Sequence, residues 1–152
     1  MSKQIFYKKI LLIFISIFWV SITYSQEVFL SLKKNKVNVR YGPSFESPIK
    51  YVYKKINLPI KQIDKKENWR RVIDLKNNSG WIHRSQLKPI NSIIPLKDKI
   101  LFTKPSSFSK PLAKIKKGRV LVVKKCETGW CRIKSENFKG WIDIKDTWGS
   151  IK

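Results

Sequence analysis

The chain has 152 residues, 33 lysines and arginines against 10 acidic side chains, and a formal net charge of +23 at pH 7. Two cysteines and one histidine cannot supply a four-coordinate zinc centre, and no glycine-rich phosphate loop, metal motif or pair of carboxylates is present. What remains within this length is two small domains without a cofactor, with no room for a large catalytic core.

Residues 1–25 read as an export signal. Lys3, Lys8 and Lys9 form a positive start, Ile10 to Val20 is apolar apart from Ser16, and Thr23 and Ser25 place small residues before a cut at Gln26. The alternative is a retained anchor, but Ile10 to Tyr24 is 15 residues, short of the roughly 18 to 20 that a spanning helix needs. No cysteine lies near the cut to carry a lipid. The expected location is therefore exported and periplasmic.

After the leader the chain repeats itself. In the first copy Val37 to Arg40 alternates as a strand, and Tyr41-Gly42-Pro43-Ser44 breaks it into a loop running to Pro48. Short strands follow at Tyr51–Tyr53, at Leu58–Ile63, with Pro59 at a strand entrance, and at Trp69–Asp74 beyond the polar turn 64–68. Gly80-Trp81-Ile82-His83 is the last. Pro105, Trp130 and Trp141 then recur 62, 61 and 60 residues after Pro43, Trp69 and Trp81. Three anchors with so little drift mark a duplicated unit. No segment after the leader has a helical period, and five short strands with frequent turns describe a small barrel.

The expected organisation is a signal peptide at 1–25, a first domain at 26–88, a short linker at 89–97 and a second domain at 98–150. The linker has two prolines and three isoleucines. It is too apolar for a loose tether, so the two domains are expected to touch. Cys126 and Cys131 flank Glu127-Thr128-Gly129-Trp130. Strands on either side and a turn at Thr-Gly would bring the two sulfurs within disulfide reach, and an oxidising compartment would close the bridge. Two free thiols on a cytosolic hairpin is the alternative. Residues 26–95 and 96–152 each carry 15 basic and 5 acidic side chains, so the charge is spread evenly. That pattern fits an AT-rich coding bias as well as selection for a polyanion site, and an exported protein meets anionic envelope surfaces far more often than nucleic acid.

Asn38-Val39-Arg40-Tyr41-Gly42-Pro43-Ser44, Trp69 to Asp74 and Gly80 to Ser85 closely resemble the bacterial SH3-like domain (SH3b), in the subgroup found in exported proteins. Pro111-Leu112-Ala113, Lys117-Gly118, Trp130-Cys131-Arg132-Ile133, Gly140-Trp141 and Trp148-Gly149 resemble the partner domain of the twin form. The likeness spans residues 36 to 150. It departs in the second copy, where Lys104 replaces the glycine before proline and Ile100-Leu101-Phe102 replaces Asn-Val-Arg. The resemblance implies an all-β chain of two tandem SH3-like barrels. It also implies an accessory module for wall peptides, other wall polymers or partner proteins.

Candidate ligand contacts are Arg40, Tyr41, Phe45, Tyr51 and Tyr53, in or beside the long first loop, where aromatics are less needed for packing. Arg40 suits a bidentate grip on a carboxylate, or an internal salt bridge. Trp69, Trp81, Trp130 and Trp141 serve either as core or as groove. His83, followed by Arg84-Ser85, ends a strand at a short helical turn, and nothing in the spacing joins it to a nucleophile and an orienting acid. No catalytic residue and no metal ligand is expected. The expected function is a non-catalytic exported module that binds peptidoglycan or a wall-associated protein, with the second copy mainly structural. Two other readings stay open: a periplasmic adaptor with an ordinary protein–protein interface, and nonspecific polyanion adhesion. The oligomeric state is open.

Overall fold

The computed structural model describes residues 27–134, 138–149 and 151. The leader, 1–25, lies outside them. The chain is all-β, in two seven-stranded antiparallel units of identical strand order. The first contains β1 (Val28–Leu32), β2 (Val37–Arg40), β3 (Ile49–Tyr53), β4 (Pro59–Lys66), β5 (Trp69–Ile73), β6 (Ser79–His83) and β7 (Leu87–Pro89), in the order β3-β2-β6-β5-β4-β1-β7. The second contains β8 (Ser92–Pro95), β9 (Lys99–Phe102), β10 (Pro111–Ile115), β11 (Leu121–Glu127), β12 (Trp130–Lys134), β13 (Lys139–Asp143) and β14 (Thr147–Trp148), in the order β10-β9-β13-β12-β11-β8-β14.

Alternation places one face of each strand inside. Val37, Val39, Ile60, Val72 and Ile82 close the first core with Leu32 and Leu87. Leu101, Leu121, Ile133 and Ile142 stand at the matching places of the second, joined by Ile93 and Ile115. Both clusters are aliphatic; of the four repeated tryptophans, Trp69 and Trp141 are buried beside them and Trp81 and Trp130 are half-buried. The glycine before each second tryptophan has its own cause. A Cβ on Gly140 would lie 2.7 Å from the Phe102 carbonyl oxygen, and one on Gly80 would lie 2.4 Å from a Val39 methyl. Only glycine lets β6 and β13 cross so close to β2 and β9.

Two strands in each barrel escape the sequence pattern: β1 and β7, β8 and β14. They pair with each other or with the central strands, β1 with both β4 and β7, β8 with β11 and β14. The stretch 89–97, read above as a linker, contains one of these strands. Ser92 to Pro95 is strand β8, with Ile93 and Ile94 1% and 4% exposed, and Ile93 belongs to the core of the second barrel.

The barrels are in contact through a small polar and aromatic seam. Ser31 and Ser92, both fully buried, share a hydrogen bond of 3.0 Å across it. The Asn91 amide donates to the Ser31 hydroxyl at 3.2 Å. Trp148, on the closing strand of the second barrel, meets Phe29 edge to face at 5.1 Å and donates its indole N–H to the Pro59 carbonyl at 2.9 Å. The Cys126–Cys131 disulfide is formed. It joins directly opposed residues of β11 and β12 across a turn in which Thr128 and Gly129 both have positive φ, 49° and 81°, the twist a two-residue hairpin requires.

Candidate functional site

The loop after β2 begins the site. Tyr41 leaves the barrel where its amide still donates to the Pro48 carbonyl at 3.1 Å, which closes the base of the loop and turns the ring outward. It is 66% exposed, with the Lys50 ammonium 5.5 Å from the ring centre. Trp81 on β6 is half-buried. It stands opposite Arg40 on β2 and opposite Arg71 on β5. These residues, with Ser79 and Gly80, line an open depression of about 330 Å³. It holds two aromatic rings and three cations, and no acidic side chain lines it.

Phe45, farther along the same loop, goes elsewhere. It lies edge-on to Trp69 at 5.0 Å and against His83 at 5.1 Å, and so covers Trp69, which is only 7% exposed. Arg40 connects the two places. Its guanidinium donates to the Ser47 carbonyl at 2.6 Å and sits 6.0 Å from the Phe45 ring centre. It therefore braces the loop and forms no ion pair among the described residues. The internal salt bridge weighed above is replaced by a bond to backbone.

Tyr51 and Tyr53 form a third group. Alternation turns both toward the core, where they are half-buried. Their rings are edge to face at 5.2 Å, their hydroxyls 3.3 Å apart, and the Tyr53 hydroxyl donates to Asp74 at 3.1 Å. Burial is the main cause that pushes both phenols above their ordinary pKa. Asp74 in turn accepts the Lys76 and Asn78 amides at 2.8 and 2.9 Å, so the chain of hydroxyls ends on a turn. This geometry is a scaffold for the loop, apart from the Trp81 depression.

His83 caps the 3-10 turn Arg84–Gln86, its Nδ1 accepting the Ser85 amide and sharing a 2.8 Å hydrogen bond with the Ser85 hydroxyl. No cluster of three histidines, cysteines or carboxylates suited to a metal occurs among the described residues.

Strand order, loop base and glycine crossing agree in the two halves, and the sequence of each half matches one description. Residues 33–89 and 99–149 both match the bacterial SH3 domain. The chain belongs to the bacterial SH3 domain family. Among curated proteins none matches it in sequence. Of solved structures, this twin SH3 chain is similar to NlpC2 of Trichomonas vaginalis, with 13% identity and a TM-score of 0.39 over 84% of this chain and 50% of that one. It is similar too to NlpC1 of the same organism, with 13% identity and a TM-score of 0.38 over 86% of this chain and 48% of the other. The chain thus spans about half the length of those two proteins.

Within the SH3 pair the second barrel arranges its tryptophans in the opposite way. Trp141, equivalent to Trp81, is 8% exposed and lies under the Lys125 ammonium, 4.9 Å from its ring centre. Trp130, equivalent to Trp69, is half-buried and meets Phe102 edge to face at 5.7 Å. Lys50 and Arg71 were not among the residues singled out from sequence. Their signal was present, since both alternate outward on strands whose other face is core.

Proposed function

We propose that this protein is an exported, non-catalytic binding module of the cell envelope, and that its first SH3 barrel takes a carboxylate-bearing segment of peptidoglycan or of a wall-associated protein. The observation that carries this reading is the Trp81 depression. Arg40, Lys50 and Arg71 surround two accessible rings, Tyr41 and Trp81, with no acid in the lining. An arginine and two further cations favour an anionic group by charge-assisted hydrogen bonds, and the rings give an apolar contact whose strength does not depend on salt. The leader-like residues 1–25 support export. A catalytic role finds little support, since His83 is occupied as a cap and packed against Phe45 and Trp69, and both cysteines are joined to each other.

The test is co-sedimentation of residues 26–152 with purified sacculi across a salt series. Retention at about 0.3 M salt, where exposed charges are screened within several ångströms, and a loss of roughly tenfold in affinity on Tyr41→Ala are expected. The even spread of lysine favours a second reading, general polyanion adhesion. Under it, retention would disappear between low and physiological salt and Tyr41→Ala would change nothing. Sacculi ignored at every salt concentration, with capture of one envelope protein, would identify an adaptor.

A further inference from the structure

The second barrel carries a pocket that the first has closed. Phe45 of the first barrel corresponds to Ser107 of the second, 62 residues on. With serine in place of phenylalanine, Trp130 is left uncovered, and beside it opens a cavity of about 460 Å³ lined by Lys99, Phe102, Ser107, Trp130, Asp143 and Lys145 among others. His83 and Ser85, which fill the matching place in the first barrel, are Asp143 and Lys145 here. A plug of rings packed edge-on and tilted has been replaced by an aromatic wall with charged groups at its edge.

Lys99 is the second observation. It occupies the strand position at which the first barrel buries Val37 completely, and it is itself only 8% exposed. A lysine in a core position is costly unless its charge is compensated, and among the described residues Lys99 makes no ion pair. Asp146 is paired with Lys97 and attracts Lys99 only at longer range. Asp143 accepts the Lys145 amide at 2.9 Å, which ties the carboxylate to its own turn. Packing alone does not call for lysine at 99, since valine serves in the other copy.

From these features we infer that the Trp130 pocket is a binding site in its own right, one that takes a carboxylate carried on a small, partly apolar body. Lys99 and Lys145 neutralise the carboxylate, Trp130 and Phe102 receive the body, and Ser107 and Asp143 meet its polar groups. This site is separate from the Trp81 depression, and only its choice of ligand sources rests on the envelope role proposed above. Two sources present such chemistry in the envelope, the C-terminal end of a short peptide and a sugar acid.

The experiment is an amide-shift titration of 15N-labelled residues 26–152, which contain every described strand. The probes are acetyl-D-alanyl-D-alanine and its C-terminal amide, then N-acetylmuramic acid and N-acetylglucosamine. Shifts at Trp130, Phe102 and Ser107 with at least one acid, at least tenfold weaker with its neutral counterpart, are expected, and the acid that responds names the source. Lys99→Val, which restores the residue of the first barrel, and Ser107→Phe, which restores its plug, should each abolish those shifts while leaving the rest of the spectrum in place. The inference is overturned if neither acid shifts these residues, if acid and neutral probe act alike, or if both variants bind as the parent does. Shifts confined to Tyr41 and Trp81 also overturn it, and would support the first barrel's site instead.

Discussion

The two barrels share a strand order, an aliphatic core and a pair of tryptophans, yet each exposes a different member of the pair. In the first, Phe45 covers Trp69 and leaves Trp81 open among arginines and lysine. In the second, Lys125 covers Trp141 and leaves Trp130 open beside Phe102. The exchange follows from two residues outside the barrel core. Ser107 stands where Phe45 would be, and Lys125 stands where the first copy has Asp64, a carboxylate that has no attraction to the negative face of an indole. A duplicated fold thus keeps what closes the barrel and varies what lies over its aromatics, which is how two copies come to present unlike surfaces.

The shared part of the comparison is where substitution should cost most. Gly140→Ala and Gly80→Ala each force a Cβ into occupied space, and overpacking of this kind costs about 1–3 kcal/mol. Gly140 should lie at the upper end, because its obstacle is the Phe102 carbonyl, part of the backbone, whereas Gly80 first meets a Val39 methyl. Urea denaturation of the two variants tests the order. Equal or negligible shifts would show that the crossings relax freely. Next in size is the seam. Trp148→Ala removes an edge-to-face contact with Phe29 and the bond to Pro59, together worth about 2 kcal/mol. The equivalent place on the first barrel's closing strand has no such reach, Lys88 bonding Asn57 of its own barrel. Loss of a single cooperative transition in Trp148→Ala, with two separate ones appearing, is the expected calorimetric result.

Much of the barrel was legible in the sequence, because alternation over Val37–Arg40, Trp69–Ile73 and Gly80–His83 needs only one buried face to show itself. The outer strands were not. Ser92 to Pro95 is buried on every side, so no alternation remains and an Ile-Ile run between prolines looks like a connector. The site was half legible. Of the five candidate contacts, Arg40 and Tyr41 line the Trp81 depression, whereas the loop's path carries Phe45 to Trp69 and strand alternation turns Tyr51 and Tyr53 toward the core. Lys99 could have been noticed only by aligning the copies position by position and asking why a core valine had become lysine.

The disulfide offers a test of similar size of the same asymmetry. Cys126 and Cys131 face each other across β11 and β12, and the matching pair in the first barrel is Lys65 opposite Arg70, two like charges. Replacing both cysteines with serine should cost about 2 kcal/mol, a short closed loop giving the low end of the range. Lys65→Cys with Arg70→Cys should form a bridge in the first barrel on oxidation and stabilise it by a similar amount, also relieving the facing charges. Free thiols remaining in that double variant after air oxidation would show that the two hairpins differ in geometry as well as in residues.

The smallest effect is electrostatic and belongs to the second barrel alone. Asp98 precedes β9, at a place the first barrel fills with Lys36. It accepts the Lys117 amide at 3.0 Å and pairs with Lys116 at 3.1 Å and Lys114 at 3.3 Å. The backbone bond from Lys117 first, then the Lys116 ammonium, lowers its pKa to about 2 from an ordinary 3.8. A carboxyl whose folded pKa is depressed contributes stability that is complete above the unfolded value and is lost as pH falls toward the folded one. The Asp98 contribution should therefore fade between about pH 4 and pH 2 and be constant above that window. Asp98→Asn should lower the melting temperature slightly at pH 7 and not at pH 2. Because the group is exposed, added salt should shrink the difference at neutral pH. A difference that persists unchanged at pH 2 would assign the effect to the backbone bond from Lys117, which asparagine's oxygen keeps only in part, instead of to charge.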